Sequence, residues 1–318
     1  MKTQAILLAA ALAAPLTVAA QCKLLPAVPD HDNSAFRTDL NGPVRSQVMT
    51  VIIPEALPTL PDRGQESYIL EERYMPDGTR RLANLYTLKN LLVAKTELLY
   101  DRNGFATEEI YSDLNGNMLN RITYAYTPGA RTWHQTVNYD PYYNPLGIYT
   151  YYYDGDGHLS QLRETGEEGK TRSQALFAYD AQGRFVEQHN YDAQGRQTAG
   201  TELFYTRSGR VAGYRTVAAD DSLRVYAEAT YQGDSLLTNL TINLFDLNRP
   251  SSRISYDFDP LGNILRSTQT DLTLPDAKPV VTDYIYEWDL HGNWTKQAII
   301  RDGKEQVAAT REITYYEE

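Results

Sequence analysis

Residues 179–211 read YDAQGRFVEQHNYDAQGRQTAGTELFYTRSGRV, and this stretch decides the fold. It holds three copies of one unit, in which an aromatic residue is followed by three mostly polar residues and then a glycine. The leading tyrosines, Tyr179, Tyr191 and Tyr205, stand 12 and 14 residues apart. This interval suits single strands of about eight residues joined by tight turns. The stretch therefore predicts consecutive antiparallel hairpins.

The same unit recurs along most of the chain. Other clear copies are YDRNG (100–104), YDGDG (153–157), FDPLG (258–262) and WDLHG (288–292), and weaker ones are YMPDG (74–78) and DLNG (113–116). Ten aromatic residues stand four positions before a glycine. Random placement of 25 tyrosines, 7 phenylalanines, 3 tryptophans and 20 glycines over 318 residues would give about two such pairs. Chance therefore does not account for the spacing between the aromatic residue and the glycine.

Each unit has the chemistry of a hairpin tip. The aromatic ring ends a strand, and the aspartate that follows can accept a hydrogen bond from the backbone N–H two residues on. The glycine supplies the positive φ with which the chain turns back into an antiparallel partner. The glycines assigned to these turns are Gly104, Gly157, Gly183, Gly195, Gly209, Gly262 and Gly292.

The pattern predicts an all-β protein built as a long antiparallel meander of roughly eighteen strands. Long open sheets usually curl, so we expect a curled or spiral sheet. VRSQVMTVII, residues 44–53, reads as a first strand. The proline-containing stretch before it predicts an extended linker over residues 21–42, followed by one β domain over residues 43–318.

The N-terminus has the features of a secretory signal peptide over residues 1–20. Lys2 precedes an apolar run from Ala5 to Ala14, and small residues lead to a cleavage site before Gln21. We therefore expect an exported protein in the periplasm or at the cell surface, without a transmembrane segment in the mature chain. Cys22, the single cysteine, leaves a second interpretation open, in which its thiol carries a lipid anchor to the outer membrane.

Charge and residue inventory exclude several function classes. The net charge of −11 disfavours nucleic acid as a partner. One cysteine cannot form an internal disulfide or a cysteine-rich zinc module. The five histidines are scattered along the chain, and we expect no cofactor and no metal. Asp154 and Asp156 resemble the start of a calcium loop, but the twelfth position is Thr165 rather than glutamate.

The tyrosines are the best candidates for binding. Tyr142-Tyr143 and the run from Tyr149 to Tyr153 form the densest aromatic segment, and Tyr149, Tyr151 and Tyr153 alternate onto one strand face. Exposed aromatic rings stack against sugars, and nearby carboxylates and amides bind their hydroxyl groups. The alternative is that these rings coat and fill the sheet.

The repeats resemble those of YD-repeat (RHS-type) proteins, in particular short exported members from Bacteroidota-like bacteria. The resemblance covers about residues 67–318, and the doublet at 179–196 carries most of it, with WDLHGNW (288–294) and LNGPVRS (40–46) in support. It implies antiparallel ribbons that curl into spirals or shells. Large members enclose a C-terminal toxin, but a chain of this length is too short for a large shell, and we expect neither a toxin domain after the last repeat nor an enclosed cargo.

We therefore expect a non-catalytic binding or scaffold module of the cell envelope, with an extracellular or envelope polysaccharide or protein as its partner. No nucleophile–base or metal motif was found in the sequence. The alternative is a glycan-directed enzyme that uses carboxylates. Glu164, Glu167 and Glu168 are the first carboxylates to consider, although they cluster in one predicted turn.

Overall fold

The computed structural model describes residues 24–53, 67–166, 168–233 and 235–317. The predicted signal peptide and Cys22 lie outside the described residues. Twenty strands follow one another along the chain: β1 Val44–Ile52, β2 Tyr68–Tyr74, β3 Arg80–Thr87, β4 Leu92–Tyr100, β5 Ala106–Asp113, β6 Met118–Tyr126, β7 Trp133–Tyr139, β8 Pro145–Tyr153, β9 Leu159–Thr165, β10 Thr171–Tyr179, β11 Phe185–Asp192, β12 Gln197–Tyr205, β13 Val211–Ala218, β14 Leu223–Gln232, β15 Leu236–Asp246, β16 Arg249–Phe258, β17 Ile264–Asp271, β18 Val280–Trp288, β19 Trp294–Arg301 and β20 Lys304–Tyr315.

The strands form one antiparallel sheet that closes on itself. Each strand pairs with its neighbours in the sequence, and β1 pairs both with β2 and with β20. The prediction of an all-β hairpin meander is confirmed. The prediction of a curled or spiral sheet is wrong, because pairing of the first strand with the last leaves neither edge open.

The strand count was also wrong, since the described residues hold twenty strands rather than roughly eighteen. Several turns lack the aromatic-to-glycine unit on which the count relied. Two of them are the two-residue turns at Leu247-Asn248 and Asp302-Gly303, where all four residues have positive φ. Such turns match the twist of a hairpin without needing a preceding aromatic residue.

Turns that follow even-numbered strands lie at one end of the closed sheet, the upper end, and the others lie at the lower end. Eight turns share one bonding scheme, in which an aspartate Oδ1 accepts from the backbone N–H groups two and four residues on. These aspartates are Asp101, Asp113, Asp140, Asp154, Asp180, Asp192, Asp259 and Asp289. All seven glycines assigned from the sequence have positive φ, from 73° to 91°.

At the upper end, tyrosines join six hairpins to the hairpin before them. Tyr179 at the end of β10 donates its hydroxyl to the carbonyl of Leu159, the first residue of β9, at 3.0 Å. We call these contacts the inter-hairpin tyrosine bonds. Their donors and acceptors are Tyr100 and Arg80, Tyr153 and Trp133, Tyr179 and Leu159, Tyr205 and Phe185, Tyr231 and Val211, and Tyr286 and Ile264.

Side chains on the inner face form three hydrophobic clusters. The largest runs from Leu159 on β9 to Phe258 on β16. A second, around Trp294 and Met49, lies where β19 and β20 meet β1 and β2. The third surrounds Trp133 on β7. Alternation along each strand sends every second side chain into these clusters, so the opposite side chains form the outer face.

Residues 24–42 cross the upper end, and we call them the N-terminal strap. Phe36 is buried, and its ring meets that of Tyr124 edge to face at 5.2 Å. The Asn33 side chain bonds the backbone of Gly104 and of Ala106 at 2.8 and 2.9 Å. The sequence predicted a linker over 21–42, but these contacts make its described part a component of the folded structure.

The inter-hairpin tyrosine bonds should contribute measurably to stability. Replacing Tyr231 by Phe keeps the ring and leaves the carbonyl of Val211 without its donor, which was 2.9 Å away. We expect the free energy of unfolding in urea to fall by about 1 kcal/mol. Tyr226→Phe on the same strand is the control, because that hydroxyl bonds the exposed side chain of Glu228. Equal losses in the two variants would contradict the role assigned to the bond.

The cost of placing a side chain at positive φ is best measured at a turn glycine that has open space around it. Gly195 has a φ of 75°, and an added Cβ would meet no atom within 4 Å. Gly195→Ala should therefore cost about 1–2 kcal/mol through backbone strain alone. Gly155 has equally open surroundings and no positive φ, so Gly155→Ala is the matched control. If Gly195→Ala and Gly155→Ala lower the urea midpoint equally, backbone strain is not the cause of the loss of stability.

Stability should also fall in acid. The backbone N–H and then the guanidinium of Arg196 donate to Asp192, which holds the pKa of this carboxyl below its usual value. Such a group stabilises the fold above its unfolded pKa of about 3.9 and loses that contribution as the pH falls through the lower folded value. Urea midpoints should therefore decrease between about pH 5 and about pH 2. Asp180→Asn/Asp192→Asn should flatten this dependence, and an unaltered slope would refute the link.

Candidate functional site

The three tyrosines predicted to bind share one face of β8, and this is the inner face. Tyr153 makes an inter-hairpin tyrosine bond to the carbonyl of Trp133 at 2.6 Å, and burial raises the pKa of its hydroxyl to about 12. The Tyr151 ring packs edge to face on the Trp133 indole, with ring centroids 6.0 Å apart. These two rings therefore help to hold the sheet together, as in the alternative that the rings fill the sheet, and a binding role for them stays a prediction.

Tyr149 lies deeper toward the lower end, among polar groups of the inner face. It is half-buried, faces Glu164 across the β8–β9 ladder, and has a raised pKa from burial and then from that carboxylate. Glu164 accepts a bond from Ser173 Oγ at 2.9 Å. Asn120 donates to Asn138 at 2.6 Å on the same face. This inner surface can form hydrogen bonds, and most of its groups already satisfy one another.

Carboxylates that could serve an enzyme occur in a buried network between β2 and β5. Arg80 reaches Glu72 with one guanidinium nitrogen at 3.5 Å and Glu109 with the other at 3.3 Å. Glu109 also accepts from Tyr124 at 3.0 Å. The shared arginine pairs with both carboxylates and lies between them, although its Nε is buried without a hydrogen-bond partner. The arrangement resembles a structural ionic network more than an acid and a base that face a substrate.

The calcium-like turn repeats the bonding of its neighbours. Ligand atoms of Asp154, Asp156 and His158 lie within 4.8 Å of one another, and the residues are exposed or half-exposed. Asp154 Oδ1 accepts from two backbone N–H groups and Oδ2 lies 3.3 Å from His158 Nδ1. In the turn at Asp192 an arginine side chain takes the place of this histidine. Turn chemistry thus accounts for the grouping without a ligand.

A different pair of tyrosines is exposed, at the lower-end turn between β7 and β8. Tyr142 is 83% exposed and Tyr143 is 61% exposed, and we call this pair the tyrosine tip. Asp140 organises the turn by accepting from the backbone of Tyr142 at 2.8 Å and of Asn144 at 2.9 Å. The turn therefore has the same framework as its neighbours but presents two large rings to solvent.

Tyr143 stands at the position that glycine holds in equivalent turns. Its φ is 65°, in the left-handed region that side chains with a Cβ disfavour. In other turns where the fourth residue donates to the carbonyl of the first, the fourth residue is Asn90, Ala130, Asp221, Ala277 or one of ten glycines. The glycines are Gly78, Gly104, Gly116, Gly157, Gly169, Gly183, Gly195, Gly209, Gly262 and Gly292.

The Tyr143 ring is held in place on the outer face by Arg121. The guanidinium carbon lies 5.5 Å from the centroid of this ring and 6.0 Å from that of Tyr139. Arg121 is itself fixed by two bonds to Glu108, at 2.6 and 3.0 Å. A cation near a ring face orients the aromatic side chain and strengthens its electrostatic character. The exposed ring is thus positioned rather than free to rotate.

Neighbouring lower-end turns carry exposed leucines. Leu114 in the β5–β6 turn is 62% exposed, and Leu91 in the β3–β4 turn is 63% exposed. Strands lie about 4.8 Å apart, so the tips of three consecutive hairpins span about 20 Å. The next lower-end turn beyond the tyrosine tip, between β9 and β10, carries Glu168, and further round the lower end Leu247 and Leu274 are also exposed. The turns between β3 and β8 form one continuous apolar and aromatic arc.

Comparisons with known proteins identify weak structural similarities. No family model matches the chain, and no curated protein matches it. The Tc holotoxin pore of Photorhabdus luminescens aligns with 14% identity over 76% of this chain and 14% of its own, at a TM-score of 0.36. A porin-like protein from Bacteroides uniformis aligns with 12% identity over 86% of this chain and 98% of its own, also at 0.36. One from Bacteroides vulgatus has the same identity and coverage, at 0.23.

The chain spans only 14% of the length of the toxin chain that it resembles. Membership of the YD-repeat family stays a prediction. Among the described residues, no helix has the length and apolar character needed to cross a bilayer.

The tyrosine tip could have been singled out in the sequence. DPYYN at 140–144 aligns with DAQGR at 192–196, which places Tyr143 opposite Gly195. A tyrosine at a glycine position of a repeated turn is a local conflict between sequence and backbone. The interpretation by strand alternation favoured Tyr149, Tyr151 and Tyr153 instead, because alternation identifies a shared face without telling which face is inside.

Proposed function

We propose that this chain is a non-catalytic binding module that acts outside the cytoplasm, and that the tyrosine tip contacts an extended polysaccharide. The observation that carries the proposal is the strained backbone of Tyr143. A left-handed conformation costs a residue with a Cβ about 1–2 kcal/mol. A ring that is 61% exposed recovers little of this through burial. Strain that folding does not repay is a reason to infer function at that residue.

The chemistry of the tip supports a sugar ligand. Two exposed rings offer flat apolar surfaces on which the C–H face of a pyranose can stack. Asn115 and Asn117 in the next turn and Asn144 in the same turn surround them with amides. Asn117 and Asn144 donate one amide hydrogen to the turn aspartate, at 2.9 Å in each case, and keep further groups for a ligand.

A protein partner is the second candidate, and the exposed leucines favour it. Leu91 and Leu114 extend the apolar arc away from the tyrosine tip. Aliphatic side chains add little to sugar binding, whereas contiguous apolar surface is typical of contacts between proteins. The two candidates differ in which residues matter, so substitutions separate them.

The experiment is a screen of the purified mature chain against envelope polysaccharides and against envelope protein extracts. Tyr142→Ala should weaken polysaccharide binding, and Leu91→Ser/Leu114→Ser should leave it unchanged. The reverse result would favour the protein partner. Retention of a bound polysaccharide by Tyr142→Ala/Tyr143→Ala would refute the tip as the contact. Hydrolysis of a glycan that is lost in Glu109→Gln would support an enzyme instead.

Tyr143 should lower the stability of the fold while contributing to ligand binding. Tyr143→Gly removes the Cβ that makes a φ of 65° unfavourable. We expect the free energy of unfolding to rise by about 1 kcal/mol while binding is lost. Tyr142→Ala, in the same turn, removes a ring that is 83% exposed and should leave stability within about 0.5 kcal/mol of the original. A clear loss of stability in Tyr143→Gly would mean that the ring serves the fold.

A further inference from the structure

A second surface lies on the outer face of β2, β3 and β4, toward the upper end. It is a groove of about 290 Å³ lined by Arg73, Arg81, Leu82, Glu97, Leu98 and Leu99, and we call it the Arg81 groove. This volume is at the lower limit of small-molecule sites and suits one or two sugar rings. The groove is far from the tyrosine tip, which lies at the lower end of β7 and β8.

The groove lies beside a bulge that inserts an extra residue into β3, as happens in the other upper-end hairpins, for example at Thr107 and Val186. Tyr74 pairs with Arg80 and Arg73 pairs with Leu82, so Arg81 has no partner residue opposite it on β2. The next pair along this row joins Leu82 to Glu97 on β4. Bulges re-aim a side chain relative to a regular ladder. Here the bulge places a second arginine beside Arg73 on the groove wall.

The charges of the groove leave one cation uncompensated. Arg73 is bonded to Glu71 at 2.7 Å, and Glu97 is bonded to Lys95 at 2.8 Å. Arg81 makes no hydrogen bond or ion pair with any residue that the structure describes. The guanidinium of Arg81 is therefore open to an anion that enters the groove.

Apolar side chains complete the groove. Leu99 is 45% exposed, and Leu82 lies across the strand from Glu97. An apolar wall beside a free guanidinium matches a ligand that has an anionic group on a body with a hydrophobic face. The planar guanidinium fork pairs with a carboxylate through two parallel bonds.

We propose that the Arg81 groove binds a carboxylate-bearing sugar, a uronate, with its carboxylate on Arg81 and its ring against Leu82 and Leu99. This site is independent of the proposed function, because it uses other residues on another part of the surface. Arg73 and Glu97 form part of the groove wall, and each has an ion-pair partner of its own in Glu71 and Lys95. The anionic group of the ligand therefore binds to Arg81.

The test is titration of the full mature chain with glucuronate and with a glucuronate-containing disaccharide, followed by NMR or calorimetry. Glucose is the neutral probe of the same shape. Arg81→Gln should weaken uronate binding at least tenfold, and Leu99→Ser should weaken it less while leaving the charge in place. Arg207→Gln is the matched control, because it removes one cation from an exposed turn between β12 and β13, on the opposite side of the closed sheet.

Uronate binding that survives Arg207→Gln and fails in Arg81→Gln would support the site. Equal affinity for glucose and glucuronate would overturn it, as would the absence of binding to both uronate probes. An acidic peptide that binds through Arg81 when no uronate does would reassign the groove to a protein partner. Tyr143→Gly should leave uronate affinity unchanged, so the outcome here and the outcome for the tyrosine tip can be told apart.

Discussion

The hydrogen bond from a tyrosine hydroxyl to the first carbonyl of the preceding return strand holds successive hairpins in one register. It acts at the upper end, next to turns in which an aspartate caps two backbone N–H groups, as at Asp180. A slip of one residue would send every side chain of a strand to the opposite face. Six such bonds recur around the sheet and oppose errors of this kind, and β20 pairs in register with β1.

Closure of the sheet gives the molecule an inner face, an outer face and two ends with turns, and these surfaces have different roles. An inner face filled by aromatic and aliphatic side chains supplies the core, and the N-terminal strap covers part of the upper end through Phe36 and Asn33. Pairing of β1 with β20 leaves no sheet edge to which another strand could be added. Recognition is thereby left to the outer face and to the lower-end turns, where side chains are not needed for register.

The local features could be predicted from the sequence, and the non-local ones could not. The turn unit and the first strand are set by short-range chemistry, such as the φ of Gly183 and the β-rich run that begins at Val44. Closure depends on Val44 meeting Tyr315 at the other end of the chain, and no repeat period encodes that pairing. Alternation likewise placed Tyr149 and Tyr151 on one face but could not tell that this face is internal.

The two proposed sites share one physical logic, in which a departure from the repeat carries the function. Most turns place glycine where φ is positive, and the turn at 140–144 places Tyr143 there with its ring in solvent. At the upper end, the bulges beside other hairpin tips carry uncharged residues such as Thr107 and Val186, whereas the bulge in β3 carries Arg81. A repeated framework that is stabilised many times over can accept such local costs. Exceptions to the repeat, rather than its consensus residues, are therefore where recognition should be sought in this fold.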